Sequence, residues 1–285
     1  MKNILVTGSN GYVGNNFKIF TKTKKLKFKF FYTDIHNLDI LDKKKIYAFI
    51  KKYNIDTIIH LAAIQNVKES FEKPELYIKT NITGTVNLLE AAGNLKVSKF
   101  IFLSSISVHG SSNKIINENS SINPIHVYGA TKAACEALIK SYSNKYSFNY
   151  FILRPNLIVG FNKNKNFFDF IAEEIKNHKT YTLFGDGTHR RDWIHVFDVA
   201  LAIVLLLKNN KLKNVTFCLG NNRATYLSVA RKIANKFPKS KALFKSANAQ
   251  TFSLCCTSKN IIQNLRWNPK FGLDKIINEY YEKYK

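Results

Sequence analysis

No stretch of this sequence is long and apolar enough to lie across a bilayer. The longest apolar run, residues 199–207, falls well short of the roughly 20 residues a spanning helix needs. Nor do basic, apolar and small-residue segments follow one another at the N-terminus as in a secretory leader. The chain enters the apolar run Asn3-Ile4-Leu5-Val6 and then a glycine-rich turn. Cysteine is scarce: Cys135, Cys218, Cys255 and Cys256 lack metal-ligand spacing, and two are adjacent, which suits neither a disulfide framework nor a zinc site. These absences predict a cytoplasmic chain with no membrane contact, no resident metal and reduced thiols. Internal repeats and low-complexity linkers are also missing.

Acidic residues are few, 19 against 44 Lys and Arg, so the formal net charge is +25. Only six of the basic residues are Arg, however, and the lysines are spread along the chain. The densest clusters, residues 22–29 and 43–52, read as helix ends and connectors. No RNA-binding, helix-turn-helix or zinc-finger pattern accompanies them, so no nucleic-acid partner is expected. A positive field of this kind instead helps to capture a doubly charged nucleotide diphosphate.

The 285 residues, 45% of them hydrophobic, suffice for one large core with a smaller lobe. Ile4-Leu5-Val6-Thr7 reads as a strand and a helix begins near Tyr12. Residues 28–33 read as the next strand, 41–53 as a helix, and Thr57-Ile58-Ile59-His60 as a short buried strand. Residues 75–95 have helical periodicity, with Leu76, Ile82, Val86, Leu89 and Leu95 as candidate core positions. A strand at 100–103, a helix at 128–146 and a strand at 150–153 follow. This alternation predicts an α/β fold, a Rossmann-type doubly wound parallel sheet. From Phe161 onward Asn and Lys crowd the sequence and the elements shorten. The expected division is a dinucleotide-binding domain over 1–160, with a segment returning near 190–210, and a smaller substrate-binding lobe over 161–285.

Gly8-Ser9-Asn10-Gly11-Tyr12-Val13-Gly14 joins the first strand to the first helix. Glycine removes the Cβ that would block a pyrophosphate, and the helix N-terminus offers N–H groups and a positive dipole end. Asp34 ends the second strand, where a carboxylate accepts hydrogen bonds from an adenosine ribose and repels a 2′-phosphate. No Arg follows it, which favours NAD over NADP. Further on, Tyr128-Gly129-Ala130-Thr131-Lys132 opens a helix, so the phenol and the ammonium share a face. A phenol of pKa ~10 is a poor base; a nearby ammonium and a cationic nicotinamide move it toward a useful range. The strand ending Leu103-Ser104-Ser105 brings a hydroxyl within reach of the same site.

These motifs resemble the extended short-chain dehydrogenase/reductase family, in its NAD-dependent nucleotide-sugar epimerase and dehydratase branch. The likeness runs nearly end to end. It continues through Asp39-Ile40-Leu41-Asp42, His60-Leu61-Ala62-Ala63, Asn81-Ile82-Thr83-Gly84-Thr85-Val86-Asn87 and Ser104-Ser105-Ile106-Ser107-Val108-His109-Gly110. Late in the chain come Phe184-Gly185-Asp186-Gly187, Arg191-Asp192-Trp193-Ile194-His195-Val196 and Leu265-Arg266-Trp267-Asn268-Pro269. The resemblance implies that Ser105, Tyr128 and Lys132 are catalytic. It places Asp39 and Ile40 by the adenine, and Leu61, Ala62, Ala63, Ser104 and Pro155 along the cofactor. Asn81 supports the active-site hydrogen-bond network. Arg191 holds the diphosphate of a sugar nucleotide, where a guanidinium fork suits phosphate oxygens; Ser107 and Asn156 contact the same substrate. The family also implies a homodimer paired through helices at 75–95 and 128–146.

Four departures bear on the substrate grip. Little chain separates Asp34 from Asp39, so the sheet lacks a strand that the family usually has there. Arg154-Pro155-Asn156-Leu157 puts Leu where the family often carries Asn. The family's R-P-G-D loop is not recognisable, Lys245-Ser246-Ala247-Asn248 standing in about that region. His109 replaces the common Tyr before Gly110. His109 and His195 read as structural histidines, with proton transfer by His109 the alternative, and Cys135 reads as core. The resemblance also limits the chemistry. Dehydratases of this family carry an Asp-Glu pair where Ile106 and Ser107 stand. The GDP-fucose synthase type uses a Cys at Ser107 and a downstream His, and none follows Gly160 before His178. Chemistry at one alcohol or ketone carbon remains. The favoured reading is a UDP-glucose 4-epimerase-like reaction. The alternatives are a 4-keto-sugar reductase that consumes NAD(P)H and a non-catalytic dinucleotide-binding interaction protein.

Overall fold

The computed structural model describes residues 1–112, 114–160, 166–177, 180–183, 185–237, 244–246 and 251–285. In chain order the first elements are β1 (Lys2–Thr7), α1 (Tyr12–Lys22), β2 (Phe28–Tyr32), α2 (Lys43–Lys52) and β3 (Thr57–His60). Then come α3 (Val67–Glu72), α4 (Pro74–Tyr77), a π-helical turn (Ile78–Thr83), α5 (Gly84–Asn94), β4 (Lys99–Leu103), a 3₁₀ turn (Ile106–His109), α6 (Val127–Tyr146) and β5 (Asn149–Pro155). The remaining elements are β6 (Leu157–Val159), α7 (Phe167–Lys176), β7 (Tyr181–Leu183), β8 (Arg190–His195), α8 (Val196–Lys208), β9 (Val215–Leu219), β10 (Asn222–Thr225), α9 (Tyr226–Ala234), β11 (Phe244–Ser246), α10 (Lys259–Leu265) and α11 (Leu273–Tyr284). They form two compact units, one of residues 1–110, 118–154 and 202–217, the other of 111–117, 155–201 and 218–285.

The first unit is built on a six-stranded sheet of order β2-β1-β3-β4-β5-β9, parallel at each of the junctions β1/β2, β1/β3, β3/β4 and β4/β5. β2 is its edge strand, and α2 leads straight from it to β3, so no strand lies between Asp34 and β3. Strand order reverses at β1, which places the topological switch point at the carboxyl ends of β1 and β3. One face packs on α2, α5 and α6: Ile46 and Ile50, Leu88 and Leu89, and Cys135 and Ile139 meet Leu5, Ile58, Phe100 and Ile152. On α1, Phe17 is fully buried and meets Phe30 edge to face. Lys99, also buried, donates to the carbonyls of Leu206 and Asn209 at 2.8 Å each and closes the end of α8.

One local reading holds and one changes. Residues 43–52 form a whole helix, within the 41–53 expected. Asp42 caps it by accepting from the Lys45 N–H, and Ile46 and Ile50 supply the buried stripe that lets a lysine-rich segment fold. Residues 75–95 do not form one regular helix. The π turn inserts an extra residue per turn, so the buried face runs through Tyr77, Asn81, Thr85, Leu88 and Ala92, and Leu76 is left 45% exposed.

The second unit pairs a three-stranded sheet, β10-β8-β6, with a two-stranded one, β11-β7. Trp193 on β8 is its central side chain, packed by Phe168 of α7 and by Tyr226. Ile171, Val229 and Ile276 extend this core along α7, α9 and α11. Residues Phe161, Phe184, Ala247, Asn248 and His178, which entered the motif reading, lie outside the described residues.

Candidate active site

The loop after β1 is shaped by what lies against it. Gly8 has φ +70°, and a Cβ there would sit 2.6 Å from Ala62 Cα at the end of β3. Only glycine takes that backbone with that neighbour. The Gly11 N–H donates to the Gly8 carbonyl at 3.0 Å, and no side chain caps α1, which begins at Tyr12 and carries Val13 and Gly14 in its first turn. This is a helix N-terminus with a close-approach cradle in front of it, and it fits a dinucleotide pyrophosphate. Across the loop, Asn10 donates to one oxygen of Asp34, while the other accepts from the His36 N–H at 2.8 Å. The Asp34 carboxylate is thus held at the end of β2. Asp39 accepts from the Leu41 N–H at 2.9 Å. Ile40 is buried against Gly84, and Asn87 donates to its carbonyl at 3.0 Å.

Behind the loop runs a directed chain of hydrogen bonds. The Ala62 N–H points to Thr7 Oγ1, 3.4 Å away, and Thr7 Oγ1 lies 2.8 Å from His60 Nδ1. His60 Nε2 lies 3.0 Å from Thr85 Oγ1, which donates to the Asn81 carbonyl at 2.5 Å. Because the Thr85 hydrogen is already used, the His60 proton resides on Nε2. Full burial, reinforced by the Lys132 charge, holds the imidazole neutral and its pKa down to about 3. Asn81, in the π turn, accepts from the Ile64 N–H and donates to the Ile64 carbonyl, each at 3.0 Å, and also donates to Thr131 Oγ1 at 3.1 Å. It ties the segment after Ala63 to the helix of Tyr128 and Lys132.

The structure brings Ser105, Tyr128 and Lys132 to the carboxyl end of β4. Ser105 opens the 3₁₀ turn, its hydroxyl accepting from the Ser107 N–H at 3.1 Å. The Ser107 carbonyl lies 2.7 Å from where a Cβ on Gly129 would be, so glycine after Tyr128 is what lets this turn approach α6. Tyr128 is 9% exposed. Burial pushes its phenol up to about 12, and a hydrogen bond from the Ser105 side chain is the influence that opposes this. Lys132 donates to the Leu103 carbonyl at 2.8 Å and lies 4.6 Å above the Phe102 ring; burial brings its ammonium down to about 8. Charge and burial therefore divide differently from the expectation. Desolvation dominates the phenol, and Lys132 is engaged with a carbonyl and an aromatic face.

Several neighbours of the site were not singled out in the sequence. Glu136, one turn past Lys132, is 3% exposed and receives Arg154 in a bidentate pair, with Nη2 2.6 Å and Nε 3.0 Å from the carboxylate. Ser104 donates to the same carboxylate at 2.5 Å, so its side chain anchors β4 to α6. Arg154 Nη1 lies 3.1 Å from His109 Nε2, and His109 Nδ1 faces the Ser121 carbonyl at 2.9 Å. A carbonyl only accepts, so His109 carries its proton on Nδ1 and takes the Arg154 hydrogen on Nε2. It is a buried neutral link in a network. The local signal was an Arg two residues before Asn156 and a Glu at i+4 from Lys132, both opposite apolar strands.

In the second unit, Pro155 ends β5 and Asn156 is buried. Asn156 donates to the Leu254 carbonyl at 2.7 Å and to Asp192 at 3.3 Å. Asp192 also accepts from the Cys256 N–H at 2.6 Å and from Arg223 at 3.1 Å. Arg191 projects from β8, donates from Nη1 to the Phe252 carbonyl at 2.6 Å and lies over the Phe252 ring. His195 accepts from the Phe197 N–H on Nδ1, points Nε2 at Glu279 3.0 Å away, and stacks on Phe271. It is a structural histidine. Among the described residues no group of His, Cys, Asp and Glu could hold a metal, and no helix is long and apolar enough to cross a membrane.

A doubly wound sheet with a glycine cradle at its switch point, and Ser105, Tyr128 and Lys132 gathered at the end of β4, has the form of a dinucleotide-binding enzyme. Residues 4–220 match the NAD dependent epimerase/dehydratase family, and the chain belongs to that family of NAD-dependent enzymes. It is 33% identical over 238 residues to a putative UDP-glucose 4-epimerase of Methanocaldococcus jannaschii, covering 74% of this chain and 76% of that protein. It is 30% identical over 272 residues to a dTDP-D-glucose 4,6-dehydratase of Dictyostelium discoideum, covering 82% of this chain but only 62% of that relative's length. The UDP-glucose 4-epimerase of Thermotoga maritima, solved with UDP-glucose, superposes with a TM-score of 0.85 at 22% identity over 99% of this chain and 100% of that one, which establishes the shared fold.

Proposed function

We propose that this chain is a nucleotide-sugar 4-epimerase that oxidises and re-reduces a single sugar carbon, with a nucleoside diphosphate sugar such as a UDP-hexose as substrate. The observation that carries this reading is the buried Tyr128 phenol with the Ser105 side chain beside it and Lys132 one helical turn on. Ile106 and Ser107 follow Ser105, and neither is the acid-base pair that elimination of water requires. The named relatives, epimerases and a dehydratase of nucleotide sugars, support the substrate class.

NAD, when bound, supplies the hydride acceptor at the sugar carbon. Gly8, Asn10, Gly11, Tyr12, Val13 and Gly14 would hold its pyrophosphate, Asp34 its ribose, and Asp39 and Ile40 its adenine. Leu61, Ala62, Ala63, Asn81, Ser104 and Pro155 would line the rest. Tyr128 takes the sugar hydroxyl proton onto its phenolic oxygen and returns it after the ketone has turned. Ser105 shares that proton, and Lys132 offsets the charge that develops on oxygen. Ser107 and Asn156 would border the substrate and Arg191 would hold its diphosphate. The dimer remains part of the proposal: α3, α4 and the π turn leave Val67, Phe71, Leu76 and Ile78 exposed. So does a cytoplasmic site of action.

Mixing the NAD-loaded protein with UDP-glucose in a stopped-flow instrument tests the redox step. A transient rise at 340 nm that disappears in Tyr128→Phe, with NAD still bound, is the expected result. Absence of any transient with every nucleotide hexose would refute the epimerase. The second reading, a 4-keto-sugar reductase, uses the same residues and is favoured by the unrecognisable phosphate-binding loop near Lys245. It predicts instead one-way loss of added NAD(P)H.

A further inference from the structure

The helix of Tyr128 and Lys132 starts in an unusual way. Its N-cap is His126, with extended backbone (φ −149°, ψ 157°), and the ring nitrogen Nδ1 accepts the Gly129 N–H at 2.9 Å. Asn, Asp, Ser and Thr are the ordinary caps, and none of them changes its capping ability between pH 5 and 8. An imidazole does: it caps only through an unprotonated Nδ1. The same ring lies parallel to the Tyr128 ring, with centroids 5.9 Å apart and 12° between planes. The group that caps the first turn is thus also the group against which the phenol rests.

From this geometry we infer that His126 is a positioning residue for Tyr128, and that its protonation uncaps the helix and withdraws the phenol from Ser105. The inference rests on the catalytic reading of Tyr128. An imidazolium at this place would lose the Gly129 hydrogen bond and set a positive charge on the positive end of the helix dipole. Electrostatic help to the phenol does not offset this. A shift of roughly 1–3 units from a neighbouring cation still leaves a phenol at about 12 protonated below pH 6.5. Burial lowers the His126 value, so the capped form is the one present at neutral pH.

The titratable groups around His126 do not supply another explanation. On α6 they are Tyr128 and, a turn on, Lys132, which is bonded to Leu103. On the 3₁₀ turn packed against the start of α6, His109 faces Arg154 and Ser121. Of the helices α3 and α4, which also pack on α6, Glu69 and Lys73 pair with each other, the buried Tyr77 donates to the Asn66 carbonyl and to Glu69, and Lys68, Glu72 and Glu75 are exposed; on the π turn and α5, which pack on the same helix, Lys79 is exposed and Glu90 pairs with Lys43. None of these charges contributes to the His126 shift.

The test compares the NAD-loaded wild type with His126→Asn, which caps without titrating, and with His126→Ala, which does not cap. Phenolate formation alone gives log kcat/KM a slope of one against pH on the acid side. In the wild type the slope should steepen toward two below pH 6.5. His126→Asn should return it to one. At pH 8 His126→Ala should lose kcat about tenfold, and His126→Asn should recover most of that loss. An acid limb unchanged in His126→Asn would overturn the inference. A second readout needs no substrate: the ¹³Cζ tyrosine resonance of Tyr128, followed by NMR, should shift with the His126 titration and lose that inflection in His126→Asn. If turnover of every sugar nucleotide fails, this titration still decides the matter, and an inflection that persists in His126→Asn rules the coupling out.

Discussion

At the scale of single residues, the proposed choice of NAD over NADP turns on one carboxylate, that of Asp34. It is held from both sides, by the Asn10 amide and by the His36 N–H, at the strand end where a ribose hydroxyl would meet it. A hydrogen bond to a charged acceptor contributes about 1.5–3 kcal/mol, and tenfold corresponds to about 1.4 kcal/mol. Asp34→Ala should therefore reduce the preference for NAD over NADP by roughly 10- to 100-fold, as measured by fluorescence titration of both dinucleotides. An unchanged ratio would remove Asp34 from the ribose. The histidines are decided at the same scale. His109 and His195 each have a tautomer dictated by partners that can only donate or only accept, and His60 has one dictated by a Thr85 hydroxyl whose hydrogen is already given to Asn81, so none is poised to carry a substrate proton.

Among the elements, α6 does most of the assembly, because one face of it carries Tyr128, Lys132, Cys135, Glu136 and Ile139. Its Glu136–Arg154 pair is fully buried, with Ser104 and His109 attached. Removing one partner of such a pair leaves an uncompensated charge and costs about 3–5 kcal/mol. Glu136→Ala should lose that much in urea denaturation, while an exposed pair such as Lys232 with Asp274 should change little when either partner is removed. A near-zero cost at Glu136 would mean that Arg154 finds another partner. Much of this was legible in sequence. The strand-turn-helix around Gly8, the Tyr128/Lys132 spacing and the strand alternation all follow from local periodicity and chemistry. The buried face of residues 75–95 was not, because a π turn leaves no periodic mark and shifts every later position. Nor was the role of Arg154, whose partner lies 18 residues away on a helix. His126 was legible in principle as the residue before the helix, but histidine is seldom read as a cap.

Over the whole molecule, buried neutral histidines make stability depend on acid. The folded-state value of His60, about 3, lies below the ordinary imidazole value of 6.5. The unfolded chain therefore binds a proton that the folded chain refuses, and stability is full above pH 6.5 and falls as pH drops toward 3. The slope from one such group is at most about 1.4 kcal/mol per pH unit. His109 and His126, also lowered by burial, add in the same direction. Urea melts at pH 7.5 and pH 5 should show the loss, and His60→Gln should show a shallower one; equal slopes would mean that His60 is already protonated in the fold. The excess of positive charge, +25, acts at long range. If the substrate is the nucleoside diphosphate sugar proposed, this field draws it in, and kcat/KM should fall as added salt shortens the Debye length from about 30 Å to about 8 Å.

The central claim is that one carbon of a nucleotide sugar is oxidised and reduced again without net use of cofactor. The direct measurement incubates the purified NAD-loaded protein with UDP-, GDP- and dTDP-hexoses, with and without added NADH or NADPH, and follows the sugar ring protons by NMR. The account predicts interconversion of two 4-epimers of one such sugar, with no added reduced cofactor and none consumed. Turnover of a 4-keto sugar alone, with stoichiometric loss of NADH or NADPH, would contradict it and establish the reductase.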